Sequence, residues 1–495
     1  MRTRAVYAGT RPKRAGGGPT RDTPSPHPGS PPWDQGRAVF RRGAGAGSIA
    51  TGPTPPAGGG LMRRILSPTL GVCFVLASCS AGPPDAAEAP LARAEAAADA
   101  ACRAGTGLKV MTRNLYLGAE IVPLAEVPAA GIVSAATTVW QNVHRTHFPA
   151  RAEVIADEVL FDRPDVVGLQ EVTTWRTGDP VVCQSGNPND TRATTVVYDY
   201  LAILERALRE RGLDYEVAAQ TTTMDAELCI ADPASPVGFS DLRYTDREVL
   251  LVRRGVAWRV PAFLASLPPL PGFVAAPVSP GPGDHGGGVY AAALDDAAHT
   301  PATACFQLAG NADPAAEVCS WRGWTVTEVR KGDRWVRVFE THAEDWLDTP
   351  EGIPQWIFQA LQMSQLVAIA DIFGQASPLP TLAIGDFNAY VTPDAKPPVY
   401  EYLTGSPGDL EAALGPLPPS PFEDTWTALY PNDPGYTWGF DALLYGGSLT
   451  TRLDLVLGDG ALRPLFMKRI GLHDRTWTWQ HPSDHAGLVA TFAVP

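Results

Sequence analysis

The chain has 495 residues, of which 45% are hydrophobic and 19% are charged, so its composition suits a folded core and differs from that of a disordered chain. Residues 1–78 carry 11 Lys or Arg and 2 Asp or Glu, which leaves 28 basic and 51 acidic side chains in residues 79–495. A body this acidic argues against a broad basic surface that tracks nucleic-acid phosphates, and it suits metal binding better.

The N-terminal region does not look like part of the fold. Residues 1–61 are rich in Gly and Pro and show no periodic apolar pattern, so we predict that they are disordered and outside the mature protein, with Met62 as the true start. Two arginines and a mostly apolar run follow Met62, which predicts a signal peptide over residues 62–79.

The end of this signal indicates how the protein is held after export. Leu76-Ala77-Ser78-Cys79 resembles the cleavage box of bacterial lipoproteins, which implies that Cys79 becomes lipid-modified; ordinary signal cleavage is the alternative. The apolar run is too short to span a bilayer, and we expect no transmembrane helix elsewhere. The predicted protein is therefore exported, and is either lipid-anchored to the bacterial cell envelope through Cys79 or secreted.

Export to an oxidising compartment favours disulfide bonds. Proximity in the sequence predicts the pairs Cys183–Cys229 and Cys305–Cys319, each inside a loop-rich insertion, with Cys102 left over. None of these cysteines shows the CxxC spacing of a metal site.

After the signal, an Ala-rich tether over residues 80–106 precedes one predicted catalytic domain over residues 107–495. Gly/Pro-rich insertions are expected near 173–194, 230–243 and 261–320. Short, β-branched apolar runs predict buried strands at Leu108–Met111, Val166–Leu169, Val249–Val252, Trp335–Phe339, Leu382–Ile384, Leu453–Leu457 and Leu488–Phe492. Amphipathic patterns predict helices over Arg151–Leu160, Thr195–Arg211 and Pro354–Phe373.

Polar clusters occur at the ends of these predicted strands, where a sheet presents side chains to a common rim. In chain order they are Met111-Thr112-Arg113-Asn114, Gln170-Glu171, Thr341-His342, Gly385-Asp386-Phe387-Asn388, Arg452-Leu453-Asp454 and Ser483-Asp484-His485. Each cluster alone is a weak signal, but the six together, in this order, are a strong one.

This ordered set resembles the endonuclease/exonuclease/phosphatase superfamily, and the resemblance spans residues 108–492. It implies an α+β fold, a four-layer sandwich of two packed mixed β-sheets flanked by helices. It also implies a divalent-metal phosphodiesterase site at one end of the sandwich.

Phosphoester hydrolysis needs a hard cation, and Mg²⁺ takes carboxylate oxygens, waters and substrate oxygens as ligands. We predict Glu171 and Asp484 as ligands of Mg²⁺, with Mn²⁺ or Ca²⁺ as alternative ions. By resemblance, Asn114 and Asp386 lie beside the metal and the attacking water, and Asn114 is a further residue of the metal site and of the phosphate contacts.

The attacking water must lose a proton, and His485 has a suitable ordinary pKa for a general base near neutral pH. The resemblance assigns Asp454 to orient the imidazole of His485. No suitable nucleophilic side chain accompanies this pair, so water is the expected attacker.

Other residues are assigned to the substrate phosphate by the same resemblance. Asn388 is expected to donate its amide to a phosphate oxygen beside Asn114, and His342 to contact the phosphate and protonate the leaving oxygen. Asp246 is expected to orient His342, and its alternative role is a strand-end charge that pairs with Arg243 or Arg247.

The substrate class stays open between two phosphodiesters. The segment Leu108–Tyr116 is most similar to bacterial neutral sphingomyelinases, which implies a phospholipid and a membrane-associated enzyme. A secreted nuclease is the other enzymatic reading, with local contacts from Arg113, Arg145, Arg151 and Arg247; a phosphomonoesterase is a further alternative. From a different class, the chain would be a non-catalytic surface lipoprotein that binds through the same fold. We expect a monomer in each case.

Overall fold

The computed structural model describes residues 88–121, 124, 127–266, 283–290, 304–307, 317–345, 356–393, 395–406 and 408–494. The predicted disordered region 1–61, the signal peptide 62–79 and the lipidation site Cys79 lie outside the described residues, so these remain predictions.

Eighteen strands occur within the described residues. They are β1 (Gly107–Asn114), β2 (Val166–Gln170), β3 (Thr174–Gly178), β4 (Thr195–Asp199), β5 (Tyr215–Ala231), β6 (Phe239–Arg253), β7 (Trp258–Arg259), β8 (Gly287–Val289), β9 (Ala304–Gln307), β10 (Glu317–Ser320), β11 (Gly323–Lys331), β12 (Arg334–His342), β13 (Thr381–Val391), β14 (Glu423–Asp424), β15 (Trp438–Phe440), β16 (Gly447–Gly458), β17 (Arg463–Ile470) and β18 (Gly487–Ala493).

The α-helices of the described residues lie between these strands or before them. They are α1 (Glu88–Arg103), α2 (Ile132–Thr146), α3 (Phe148–Asp162), α4 (Val182–Ser185), α5 (Tyr200–Glu210), α6 (Trp356–Ala376), α7 (Pro398–Leu403), α8 (Gly408–Leu414) and α9 (Thr425–Leu429).

Most of the strands form two mixed sheets. The first sheet has the order β17-β18-β1-β2-β6-β3-β4, with β5 paired to β6, and its β1–β2 pair is parallel. The second sheet has the order β14-β16-β13-β12-β11-β7, with β15 on β16 and β8 on β11, and its β12–β13 pair is parallel. Strands β9 and β10 form a separate hairpin.

Both faces of each sheet are covered, which explains why the central strands read as continuous apolar runs. Side chains such as Val110, Leu250 and Ile384 pack between the two sheets. Their neighbours along the strands face outward and contact helices α2, α3 and α5 on the first sheet or α6 and α7 on the second. The predicted fold class, a four-layer α+β sandwich of two mixed sheets flanked by helices, is confirmed.

The predicted strands and helices fall largely where expected, with one clear difference. All seven predicted strands lie within observed strands, and the predictions over Arg151–Leu160 and Pro354–Phe373 overlap α3 and α6. The predicted helix over Thr195–Arg211 begins late, because residues 195–199 form the edge strand β4. Asp199 then caps α5 by accepting a hydrogen bond from the backbone N–H of Ala202.

The predicted insertions differ in structure. The segment 230–243 is the tip of the long antiparallel hairpin β5–β6 rather than a separate loop. The segment 173–194 contains β3 and α4, and much of 261–320 lies outside the described residues.

The predicted tether contains a helix that lies on the first sheet. In α1, Asp99 pairs with Lys109 of β1 at 3.2 Å, and Glu95 pairs with Lys468 of β17 at 3.5 Å. Since Ala98 is also buried, at least this part of residues 80–106 packs against the catalytic domain.

One described helix, α6, is long and apolar enough to cross a membrane by length and composition alone. Its apolar window is 72% buried inside the protein. Phe358, Met363 and Phe373 pack in the core of the second sheet, as expected for a core helix.

The predicted disulfide Cys183–Cys229 is confirmed, with an S–S distance of 2.06 Å, and it joins α4 to β5. Cys102 is a free thiol, as expected. Cys305 and Cys319 face each other in the register of β9 and β10, but their side chains lie outside the described residues, so this second disulfide stays a prediction.

Gly168 in β2 gives a test of how tightly the two sheets pack. A Cβ atom there would lie 2.7 Å from Cγ of Glu340 and 3.0 Å from Cδ1 of Ile384, both on the second sheet. Gly168→Val should therefore lower the free energy of unfolding by about 1–3 kcal/mol, as measured by denaturant titration.

Gly374→Ala in α6 is the matched control, because a Cβ atom there would meet nothing within 4 Å. Alanine is favoured over glycine inside a helix by roughly 0.5–1 kcal/mol, so this variant should be at least as stable as the parent. Equal stability of the Gly168→Val variant and the parent would contradict close packing at this point.

Candidate active site

The strand registers bring the predicted polar clusters to one end of the sandwich. In the first sheet Asn114 is paired with Gln170, so Glu171 follows directly beside it. In the second sheet Asp386 is paired with His342 on one side and with Asp454 on the other. Each sheet therefore presents a row of functional side chains at the same rim.

Asn114 links the two rows. Its side-chain Nδ2 donates to Oε1 of Glu171 at 2.9 Å and to Oδ2 of Asp386 at 3.0 Å. Its Oδ1 accepts from the backbone N–H of Tyr116 at 2.8 Å. Both ends of the amide are thus engaged, and one buried side chain fixes a carboxylate of each sheet.

His485 and Asp454 form a hydrogen-bonded pair, as the resemblance implied. Nδ1 of His485 lies 2.8 Å from Oδ2 of Asp454, and both residues are buried. Nε2 of His485 points to the other carboxylates, 3.7 Å from Asp386 and 4.0 Å from Asp484. The imidazole is therefore oriented on one side and faces the acidic cluster on the other.

The segment Gly385–Asn388 of β13, where the pairing with β16 becomes irregular after Asp386, shapes the rim of the second sheet. The backbone N–H of Asn388 donates to Oδ1 of Asp386 at 2.9 Å, and Nδ2 of Asn388 donates to the carbonyl of Ala343 at 2.9 Å. Asn388 has a positive φ of 46°, and Glu171 across the site has a φ of 56°. Such strained backbone persists only where the surroundings enforce it, as at functional sites.

The surroundings of His342 differ from the prediction. Its Nε2 lies 3.7 Å from Oδ2 of Asp386, which places it in the site. The carboxylate near its Nδ1 is Glu248, at 3.6 Å, whereas Asp246 forms no ion pair with this histidine. Because side chains alternate along a strand, residues 246 and 248 share a face of β6, and the sequence pattern could not choose between them.

Asp246 is nevertheless part of the site. It accepts hydrogen bonds from the backbone N–H of Arg247 at 3.0 Å and from the hydroxyl of Thr173 at 3.4 Å. Arg243, its suggested alternative partner, pairs instead with Asp225 at 2.6 Å. Asp246 therefore lies at the cleft without orienting His342 directly.

The surroundings of His342 disfavour its charged form. Burial, together with the nearby charges of Arg322 and His485, lowers its pKa well below the usual value. A neutral imidazole has one N–H that can donate to a phosphate oxygen. The predicted phosphate contact of His342 and its predicted protonation of the leaving oxygen both stay predictions.

These residues line one cleft with a volume of ≈ 190 Å³. Seven of the predicted residues contribute to it: Glu171, Asp246, His342, Asp386, Asn388, Asp484 and His485. Asn114 and Asp454 lie directly behind this surface, in hydrogen-bond contact with it. The predicted site residues therefore converge, although they span nearly the whole catalytic domain in sequence.

The cleft holds more negative charge than its protein neighbours neutralise. Burial and the charge of Asp454 raise the pKa of Asp386 to about 7. Burial and the charge of Glu171 raise the pKa of Asp484 to about 6, and burial with Asp246 raises the pKa of Glu171. Carboxylates that raise one another's pKa in this way form a donor set suited to a divalent cation.

Two groupings of side chains are candidates for such a cation. Glu171 and Asp484, the predicted ligands, line the cleft together with Asp386. Among the described residues, the ligand atoms that lie within 4.8 Å of one another are those of Asp386, Asp454 and His485, a set that does not include Glu171 or Asp484. The predicted ligand pair therefore stays a prediction.

Asn114 lies beside Glu171 and Asp386, as the resemblance implied. Its amide N–H groups donate to both carboxylates, which positions these two acids. The predicted roles of Asn114 as a metal ligand and as a phosphate contact stay predictions.

Two buried arginines, which the nuclease alternative offered as contacts to nucleic acid, hold the loop that carries Asp484 and His485. Nη1 of Arg113 donates to the backbone carbonyl of His485 at 2.5 Å, and this arginine pairs with Glu158 at 3.1 Å. Nη1 of Arg151 donates to the carbonyl of Pro482 at 3.1 Å. Both arginines are fully buried, so neither can reach a nucleic acid.

The aromatic residues before the Ser-Asp-His cluster lie at the surface. Trp477 and Trp479 are 75% and 77% exposed, so they belong neither to the core nor to the cleft lining. His481 is buried and stacks on Phe440, with ring centroids 3.4 Å apart. It supports the wall of the cleft from behind.

Comparison with known proteins gives structural similarity only. No protein-family model and no curated protein matches the sequence. Solved structures that are similar include an endonuclease/exonuclease/phosphatase family protein from Leptotrichia buccalis C-1013-b, at 12% identity and a TM-score of 0.39, covering 78% of this chain and 99% of that chain.

A second is the endonuclease/exonuclease/phosphatase from Beutenbergia cavernae DSM 12333, at 17% identity and a TM-score of 0.37, covering 79% of this chain and 72% of that chain. A third is D. rerio TDP2 complexed with a single-strand DNA product, at 12% identity and a TM-score of 0.36, covering 78% of this chain and 99% of that chain. Proteins of the superfamily that the motifs resemble are thus among the structures to which this chain is similar.

The donor set makes a prediction about metal binding. Glu171→Ala should weaken the binding of Mg²⁺ or Mn²⁺, measured by titration calorimetry, by at least about tenfold, because it removes one carboxylate from a cation site. Asp333→Asn is the control, since this side chain is 99% exposed in the β11–β12 turn. Unchanged affinity in the Glu171→Ala variant would show that the cation lies elsewhere.

Proposed function

We propose that this protein is an exported, divalent-metal-dependent phosphodiesterase in which an activated water attacks the phosphorus. The observation that carries the proposal is the convergence, in one cleft, of the oriented His485–Asp454 pair with carboxylates of both sheets. General-base catalysis and charge neutralisation are the two requirements of phosphoester hydrolysis, and this cleft meets both.

The proton transfer is assigned to His485. Its Nδ1–H donates to Asp454, which leaves Nε2 free to accept a proton from water. Burial lowers the pKa of His485, but the charges of Asp454, Asp484 and Asp386 raise it well above its usual value. The imidazole would therefore act as a base when a divalent cation at these carboxylates offsets their charge. A divalent cation, when bound at the carboxylates, supplies positive charge for the phosphoryl oxygens and for the attacking water.

The phosphate contacts are assigned to neutral donors. Asn388 uses one amide N–H for the carbonyl of Ala343, and its second is available to a ligand in the cleft. His342 offers one N–H beside Asp386. Donors of this kind hold a phosphate oxygen without adding negative charge to a site already rich in it.

A non-catalytic binding module explains less of the geometry. Such a module needs no imidazole oriented by a buried carboxylate and aimed at an acidic cluster. The complete set of Glu171, Asp386, Asp454 and His485 therefore favours the enzyme.

The substrate remains a choice between phospholipid and nucleic acid. The predicted lipid anchor at Cys79 and the likeness of Leu108–Tyr116 to neutral sphingomyelinases support a phospholipid and an enzyme held at a membrane. Against a nucleic acid, two of the four arginines proposed for local contacts are fully buried, and Arg247 is engaged by Asp199 at 3.1 Å. We therefore place the phospholipid first.

An activity panel tests both the reaction and the substrate. The full chain with Mg²⁺ is offered sphingomyelin vesicles, plasmid DNA, RNA and an aryl phosphodiester in parallel. We expect hydrolysis that EDTA abolishes and that His485→Ala lowers by roughly a hundredfold or more, since general-base catalysis contributes about 10²–10⁴-fold.

His473→Ala controls for the loss of a histidine, because His473 is exposed and outside the cleft. Full activity in EDTA or in the His485→Ala variant would refute the proposed mechanism. Faster cleavage of DNA than of sphingomyelin would reverse the order of the two substrates.

The orienting carboxylate gives a sharper prediction. Asp454→Asn keeps the shape of the side chain but presents an amide that cannot hold the Nδ1–H tautomer of His485 as a carboxylate does. We expect turnover to fall by roughly a hundredfold or more while the KM changes little. A turnover within twofold of the parent enzyme would show that Asp454 does not act through His485.

A further inference from the structure

Arg322 is a partly buried cation of the cleft that none of the six motifs contains. It lies directly before β11, and its backbone carbonyl accepts a hydrogen bond from the N–H of Tyr290 at 2.9 Å. Its side chain is 16% exposed and lines the cleft beside His342. Among the described residues that line the cleft, it is the only Lys or Arg.

The guanidinium is fixed by protein partners on two sides. Nε and Nη2 donate to Oε1 of Glu344 at 3.3 and 3.2 Å. Nη1 lies 3.2 Å from Nδ1 and 3.1 Å from Nε2 of His342 and donates to this ring. A guanidinium carries five N–H groups. These contacts occupy three of them, so one on Nη1 and one on Nη2 have no acceptor among the residues that the structure describes.

Removing the charge of Arg322 from water costs free energy unless that charge is paired. The Asp246 and Glu248 carboxylates face it as well as Glu344, and these charges outweigh the effect of burial to keep its pKa above the usual value. A partly buried guanidinium that retains free, parallel N–H groups at a cleft is matched to two oxygens of a phosphate.

We propose that Arg322 is a phosphate-binding residue of this site, and that its two free N–H groups donate to non-bridging oxygens of a phosphodiester or to free phosphate. The proposal rests on the proposed function for the identity of the substrate, but not for the binding of the anion. In this arrangement Glu344 orients the guanidinium, and His342 and Arg322 contact adjacent parts of the phosphate.

The competing explanation is that Arg322 only neutralises Glu344. A pair of substitutions separates the two. If Arg322 is only a counter-ion, removing both charges in an Arg322→Gln, Glu344→Gln double variant should restore phosphate binding. If Arg322 binds the anion, the double variant should remain defective, and Glu344→Gln alone should bind phosphate at least as well as the parent.

The test is titration calorimetry of the full chain with inorganic phosphate and with dimethyl phosphate, in EDTA so that metal binding does not contribute. Arg322→Gln should weaken binding by roughly tenfold to a hundredfold, as expected for loss of a charge-assisted hydrogen-bonding group. Arg322→Lys should be intermediate, because it keeps the charge without the fork. Arg330→Gln, which replaces an exposed arginine of the strand that follows Arg322, should be unchanged.

Thermal unfolding of each variant checks that it folds, and the Arg322→Lys and double variants keep the test informative if Arg322→Gln does not. Absence of phosphate binding by the unaltered chain, unchanged binding in folded Arg322→Gln, or restoration in the double variant would each overturn the proposal.

The same variants are assayed with the aryl phosphodiester and Mg²⁺, where the KM should rise in Arg322→Gln. If the parent binds phosphate through Arg322 but hydrolyses no diester, the proposed function fails and the anion site stands. If the parent hydrolyses the diester and Arg322→Gln binds phosphate normally, the anion site fails and the enzyme stands.

Discussion

The site depends on the amide of Asn114, which donates to a carboxylate of each sheet. Glu171 follows a strand of the first sheet and Asp386 lies in a strand of the second, and both are held where their charges reinforce one another. A buried acid needs a hydrogen-bond donor or a cation to offset the loss of water. Because one side chain donates to both acids, the relative position of the two sheets at this rim also fixes the distance between Glu171 and Asp386 in the cleft.

Buried arginines also hold the loop that carries Asp484 and His485. Arg113 and Arg151 donate to the backbone carbonyls of His485 and Pro482, so the loop before β18 is attached to the strand β1 and the helix α3. Arg113 is paired with Glu158, and Arg151 lies 4.9 Å from the ring centroid of Phe148. Buried arginines with all their partners inside the protein fix geometry, and here they fix the position of Asp484 relative to Glu171.

The sequence predicted the strands and the six clusters well, because buried strands are read from local apolar runs and the clusters follow them directly. It failed where the answer depended on which elements lie opposite one another. The choice between Asp246 and Glu248 beside His342, the internal partners of Arg113 and Arg151, and the orientation of the Asn114 amide are all set by contacts more than 30 positions apart in sequence. Arg322 gave no signal at all, since it precedes its strand without a neighbouring motif.

The cleft combines fixed acids, an oriented imidazole and one partly buried guanidinium. The functional interpretation depends on their occurring together. The negative charge of the acids suits a divalent cation, and the same charge raises the pKa of His485. The position of that cation is therefore the central claim. The most direct measurement is anomalous X-ray scattering from crystals soaked in Mn²⁺. The account predicts a peak bound by Glu171 and Asp484, with the hydrogen bond between His485 and Asp454 intact. A peak bound between Asp454 and His485, or no peak in the cleft, would contradict it.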